Sequence, residues 1–126
     1  KIHSSLISSI INKKDIELFS DGQSVRSFCY ISDATRAILT ILFEAKSGLT
    51  YNIANPKESI KIIDLCENIL ESQKESLKII FNKNSPYEQS PILGNIPSCE
   101  QLESLGWQPK VDLYSGFDRS IHFYRQ

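Results

Sequence analysis

The chain has 126 residues, enough for one domain with a modest hydrophobic core. Hydrophobic residues make up 40% and charged residues 23%, and a net charge of −1 gives no general electrostatic reason to bind nucleic acid or an anionic membrane surface. No apolar run approaches the roughly 20 residues of a membrane helix, and a start at Lys1, without Met or the apolar core of a signal peptide, is what a processed protein or a fragment would show.

Leu6, Ile7, Ile10 and Ile11 recur at helical spacing and predict a short amphipathic helix ended by Asn12, Lys13 and Lys14. The lysine pair reads as a solvated helix end favoured by the dipole, ahead of a phosphate contact. Ile16 to Phe19 is a short β-prone run, and Ser20, Asp21 and Gly22 form a turn signal in which Gly supplies positive φ. Arg26 sits where the turn becomes strand, and Phe28 to Ile31 continues that strand with apolar residues on both faces, as a covered strand would. Ser32 or Asp33 is the predicted cap of the next helix. That helix carries Ala34, Ala37, Ile38, Ile41 and Leu42 on one face, with Leu39 and Phe43 widening it, so the pattern predicts burial on most sides. Ser47 and Gly48 stop it.

Thr50 to Ala54 reads as another strand, followed by a turn at Asn55 and Pro56. Ser59 is the predicted cap of a helix bearing Ile62, Ile63, Cys66, Ile69 and Leu70 on one face. Leu77 to Phe81 has strand alternation, and Asn82 to Ile96 is a long loop of the kind that carries function. Ser98 and Gln101 have capping-box spacing before a short helix ending at Gly106. Asp112 caps a last helix lined by Leu113, Phe117, Ile121 and Tyr124. The predicted order is α-β-β-α-β-α-β-α-α, a single mixed α/β unit without repeats.

A catalytic apparatus is hard to find in these residues. The five glycines are scattered singly, so no Gly-rich phosphate loop exists. Cys29, Cys66 and Cys99 are widely spaced with no C-x-x-C, which predicts free thiols in a reducing, cytoplasmic setting and no metal site. His3 and His122 lie near the two ends, and His122 reads as a surface or helix-end residue. Asp21 and Asp33 are explained by a turn and a cap. Arg26 is different. A guanidinium held at a turn-to-strand junction reads phosphate or carboxylate bidentately; spacing leaves open whether it does so or makes an ordinary ion pair with Asp21 or Asp33.

The stretch from Asp21 through Arg26, Phe28, Tyr30 and Asp33 to Ala34 resembles the G-D-G-x-Q-x-R-D-F-x-Y-V-x-D-V/A segment of NAD-dependent nucleotide-sugar epimerases and dehydratases, the extended short-chain dehydrogenase/reductases. The likeness continues in order. Gly48 to Asn55, with Tyr51, Asn52 and Ile53 in register, is similar to the family's G-x-x-Y-N-I-G; Ser59-Ile60 resembles S-I-x-E-L; Leu105-Gly106-Trp107-Gln108-Pro109 matches L-G-W-x-P; and Gly116 to Tyr124 resembles E-G-x-x-x-T-I-x-W-Y.

The resemblance implies a fold and a role. The chain would be the C-terminal, substrate-binding portion, a small mixed sheet with flanking helices. The N-terminal Rossmann part, absent here with its G-x-x-G-x-x-G loop and its Tyr-x-x-x-Lys, would hold NAD and the catalytic residues. Arg26 matches the arginine that binds the nucleotide diphosphate, and Ser59 falls near a second diphosphate position. The partner implied is a nucleotide-diphosphate sugar, with no nucleic acid and no membrane, in a parent that is homodimeric. A parent like dTDP-glucose 4,6-dehydratase or UDP-glucuronate decarboxylase fits as well as an epimerase, and the alternative is a non-catalytic binding or assembly module of the same fold. Ser27 and Ala54 depart from the family's commoner Asp and Gly. A second phosphate-binding Arg of many members has no counterpart in Ser90 to Asn95, which leaves open either which subgroup the chain resembles or whether Lys83 or Tyr87 makes that contact. Alone, the portion would expose the apolar face of the helix after Asp33, so self-association or partial disorder is expected.

Overall fold

The computed structural model describes residues 2–82, 94 and 96–126. Its elements are helix α1 (Ile2–Ile11), strands β1 (Ile16–Leu18) and β2 (Val25–Ser27), helix α2 (Ile31–Glu44), a 3-10 turn (Pro56–Glu58), strand β3 (Ser59–Lys61), helix α3 (Ile62–Ser72), strand β4 (Ile79–Phe81), helix α4 (Glu100–Glu103) and helix α5 (Leu113–Arg125). The strands form two separate ladders. β1 pairs parallel with β4, Ile16 opposite Ile79, and β2 pairs antiparallel with β3, Arg26 opposite Ile60 and Ser27 opposite Ser59. The α/β class stands, with the expected mixed sheet divided into a parallel and an antiparallel ribbon.

The main core lies where the apolar stripes of three helices meet β1. Leu6, Ile7 and Ile10 of α1, Leu65, Cys66 and Ile69 of α3 and Leu113, Phe117 and Ile121 of α5 are buried together with Ile16 and Leu18. These are the positions that 3.6-residue periodicity marks. The stripe of α5 ends earlier than expected, because Tyr124 is exposed. Glu75, in the loop after α3, pairs with Lys13 at the end of α1 and with Arg125 of α5 at 3.1 Å, so the lysine read as solvated is partnered. A second cluster surrounds Trp107, with Ala37 and Leu102 buried and Cys29, Ile41, Tyr51 and Ile53 packed on it.

Several local expectations are corrected. β2 stops at Ser27, and α2 begins at Ile31 with Tyr30 as its N-cap and no side-chain cap bond. Asp33 is therefore inside the first turn, where its carboxylate is turned outward to other partners. Only Asp33 and Ala37 of α2 are buried; Leu42 is 71% and Phe43 75% exposed, so the wide apolar face lacks cover among the described residues. Residues 50–54 form no strand. Ser59 lies in β3, and the first free N–H groups of α3 are taken instead by the turn, Ile62 N donating to Ser24 O at 3.1 Å and Ile63 N to Gly22 O at 3.0 Å. Cys99 is the N-cap of α4 without a side-chain bond, so the Ser98 capping box does not close, whereas Asp112 caps α5 as expected by accepting from Ser115 N at 2.9 Å.

Gly22 is held tightly by this docking. Its φ is +72°, and a Cβ there would stand 2.9 Å from Ile63 Cβ. Gly22→Ala combines left-handed backbone strain with a collision against a helix start, so a loss of about 2 kcal/mol is expected in urea unfolding. An unchanged midpoint would refute the tight docking.

Candidate functional site

The turn, β2, β3 and the segment after β2 make one continuous wall. Asp21 closes the turn locally, its Oδ1 accepting from Gln23 N at 3.0 Å, so it is the turn residue its spacing predicts. The turn's carbonyls sit on the N-terminus of α3, which fixes where β2 starts. Arg26 occupies the middle of β2 and is half-buried. Its Nη1 donates to the carbonyl of Val25 at 2.8 Å, and among the described residues no carboxylate pairs with it. Asp21 is not its partner, and Asp33 is engaged elsewhere.

Ser59, the second sequence candidate, lies on the strand beside Arg26. Because side chains alternate along a strand, the register puts Arg26 and Ile60 on one face of the ribbon and Ser27 and Ser59 on the other. Ser59 Oγ donates to Pro56 O at 2.9 Å and Ser27 Oγ to Asn55 O at 2.7 Å. The fold thus brings Arg26 and Ser59 to neighbouring strands with their side chains facing apart. Gly94 stands beside the start of this ribbon through a parallel bridge with Val25. Lys83 and Tyr87, named for a second phosphate contact, lie outside the described residues.

Beside the ribbon is a cavity of about 350 Å³. Ser27 to Ile31 form one side and Leu113, Gly116 and Phe117 of α5 the other, with His3 of α1 at the edge. The ring of His3 lies 4.9 Å from that of Phe117, and burial lowers its pKa. Gly116 lets the Tyr30 ring approach, since a Cβ there would meet Tyr30 Cδ2 at 3.0 Å. The lining is mostly apolar; Asp112, the carboxylate that also lines it, is engaged in capping α5 through Ser115 N. At the carboxyl ends of the parallel pair β1–β4, Phe19 and Phe81 are both exposed, and Asn82 N donates to Leu18 O at 2.8 Å, which holds the two strand ends together. Such strand ends are where open α/β sheets bind ligands. Sequence reading passed over these two rings, because a Phe at the end of an apolar run looks like core.

The segment after β2 is anchored by Asp33, which is 1% exposed. Its Oδ2 accepts from Lys110 N and Val111 N, each at 2.8 Å, its Oδ1 from Arg36 Nη2 at 2.7 Å, and its carbonyl from Trp107 Nε1 at 3.0 Å. This single residue ties the start of α2 to the chain entering α5. Cys29, Cys66 and Cys99 are free thiols, half-buried, buried and buried. Burial pushes the Cys66 thiol up to about 11, so it is an unreactive packing group. His122 is exposed near the end of α5, as expected. Among the described residues, no cluster of three or more His, Cys, Asp or Glu is placed to hold a metal ion, and no helix is long and apolar enough to cross a membrane.

Residues 1–54 match the model of the NAD dependent epimerase/dehydratase family. Over 128 residues the chain is 27% identical to UDP-glucuronic acid decarboxylase 1 of Arabidopsis thaliana, covering 99% of this chain and 28% of that protein. It is 26% identical over 137 residues to dTDP-D-glucose 4,6-dehydratase of Bos taurus, covering 36% of that protein. The chain therefore spans about a third of the length of these curated relatives. Among solved structures, the UDP-glucuronic acid 4-epimerase of Bacillus cereus in complex with UDP-glucuronic acid and NAD superposes with a TM-score of 0.86 at 25% identity, over 100% of this chain and 40% of that one. The fold is shared with the UDP-glucose 4-epimerase of Thermotoga maritima, TM-score 0.85 at 21% identity, covering 99% of this chain and 39% of that one.

Proposed function

We propose that this chain, which corresponds to part of an NAD-dependent epimerase/dehydratase, is the substrate-side wall of such an enzyme and binds the diphosphate of a nucleotide sugar through Arg26. The observation that carries the reading is the state of that guanidinium. It is half-buried on a strand whose start is docked on α3, and among the described residues it is satisfied by its neighbour's carbonyl alone. A partly desolvated cation without a counter-charge is a strong anion site, since its attraction is weakly screened and its donors fork onto phosphate oxygens.

The chemistry of such an enzyme, transient oxidation of a sugar carbon, is supplied by NAD when bound. The described residues do not fit that cofactor. Gly22 does meet a helix N-terminus, but its own carbonyl accepts from Ile63 N and a Cβ there would stand 2.9 Å from Ile63 Cβ, so that helix start offers no open cradle for a phosphate. NAD and the catalytic groups are assigned to a nucleotide-binding part, which would also cover the exposed face of α2. This chain's share is to bind and orient the substrate, in a homodimeric parent and in the reducing, cytoplasmic compartment that free thiols suit.

The reading is tested by titrating the chain with UDP and with dTDP while following backbone amide shifts. Shifts centred on residues 20–28 are expected, weakening with added salt. Arg26→Ala should lower affinity by more than about tenfold, the worth of a charge-assisted forked contact. Equal affinity in Arg26→Ala would rule out the diphosphate role.

A further inference from the structure

We infer that Ser27 and Ser59 form a clasp that positions Arg26, tying the back of the β2–β3 ribbon to the turn at residues 55–56 while the guanidinium meets its anion from the front. The inference rests on the reading of Arg26 as the anion-binding group. Both hydroxyls are on the face of the ribbon opposite Arg26, and their residues are direct cross-strand partners. Each hydroxyl has one proton and has given it to a carbonyl, Ser27 to Asn55 and Ser59 to Pro56. A diphosphate presents only acceptors, so a hydroxyl whose proton is spent elsewhere has nothing to donate to it. Ser59 therefore serves the substrate through Arg26 and not by touching it.

The accepting turn is itself anchored. Asn55 is 5% exposed, its carbonyl also takes Glu58 N at 3.0 Å, and Glu58 Oε2 takes Leu113 N at 3.3 Å at the start of α5. The ribbon needs such an anchor. It has three residues per strand, and a two-stranded ribbon of that length is marginal in water by itself. Ser27 bonds from the strand that carries the charge and Ser59 from its partner strand, both to the turn that buried Asn55 leads, and losing either bond lets Arg26 drift from the geometry a forked contact requires.

The test compares Ser27→Ala, Ser59→Ala and the threonine variant of each, alone and combined with Arg26→Ala, in UDP titrations and in amide hydrogen exchange. Each alanine should weaken UDP binding by about three- to tenfold, the worth of one neutral hydrogen bond acting on position. Threonine, which keeps the hydroxyl, should restore it, and neither alanine should matter once Arg26 is gone. Exchange across residues 25–27 and 59–61 should quicken in both alanine variants with no ligand present. Alanine variants with unchanged exchange would overturn the clasp. So would weakened UDP binding in Ser59→Ala while Ser27→Ala binds as the unaltered chain does, which would make Ser59 a direct contact. Should Arg26→Ala bind UDP like the unaltered chain, the diphosphate reading falls, and the exchange data still decide whether the clasp exists.

Discussion

Asp33→Ala is expected to cost about 3 kcal/mol of folding stability, or roughly 10 °C in Tm, the cost of breaking a buried, charge-assisted network. The removed carboxylate satisfies two backbone N–H groups, those of Lys110 and Val111, and one guanidinium, that of Arg36. Arg36 is partly exposed and can turn to water, whereas the two N–H groups remain part-buried without an acceptor, so they carry most of the penalty. Burial pulls the Asp33 pKa upward, but the Arg36 hydrogen bond and the two backbone N–H groups outweigh it, and the net displacement is below the usual carboxylate value. The sign follows. The unfolded carboxyl binds its proton more readily than the folded one, so the stabilisation is full above pH ~4 and disappears as pH falls through the lower folded value. The stability gap between the unaltered chain and Asp33→Asn should narrow below that pH in urea titrations. Unfolding of Asp33→Ala at the unaltered midpoint would contradict the network.

The second large effect concerns α2. Ile31, Ile38, Leu39, Leu42 and Phe43 are all exposed on this one helix, a run of uncovered apolar side chains of the kind that marks a contact surface. Sedimentation of the chain should therefore show association at about 100 µM, and Leu42→Lys with Phe43→Glu should weaken it by at least tenfold, since each apolar side chain removed from a contact is worth about 1.5–3 kcal/mol. Both residues are more than two-thirds exposed, so the same pair should leave the unfolding midpoint almost unmoved. A compact monomer at that concentration would mean that the face needs no cover. Association that survives the double variant would move the contact to another surface, with the exposed Phe123 and Tyr124 of α5 the next to replace.

How much of this could be read beforehand depended on the range of the interactions involved. The stripes of α1, α3 and α5, the turn at Asp21 and Gly22, the cap at Asp112 and Arg26 as the charge of interest follow from spacing within a few residues, because helix periodicity, left-handed glycine and a one-turn cap bond are local physics. The element order also came out as α-β-β-α-β-α-β-α-α, yet its third strand is Ser59–Lys61 and not residues 50–54. A strand exists only if another strand accepts its ladder, and which segment finds a partner is decided across the chain. The two serines and two aspartates that pattern reading treated alike were separated in the same way. Asp112 caps the helix beside it, while Asp33 reaches 77 residues along the chain to the Lys110 N–H; Ser98 closes no capping box, and Ser59 turns its hydroxyl back to Pro56. The helices, the turns and the family likeness thus follow from spacing alone, since they rest on neighbouring residues. The tertiary structure decided which face of the ribbon Arg26 and Ser59 occupy, who caps α3 and what leaves α2 uncovered, because each depends on groups brought together only by folding.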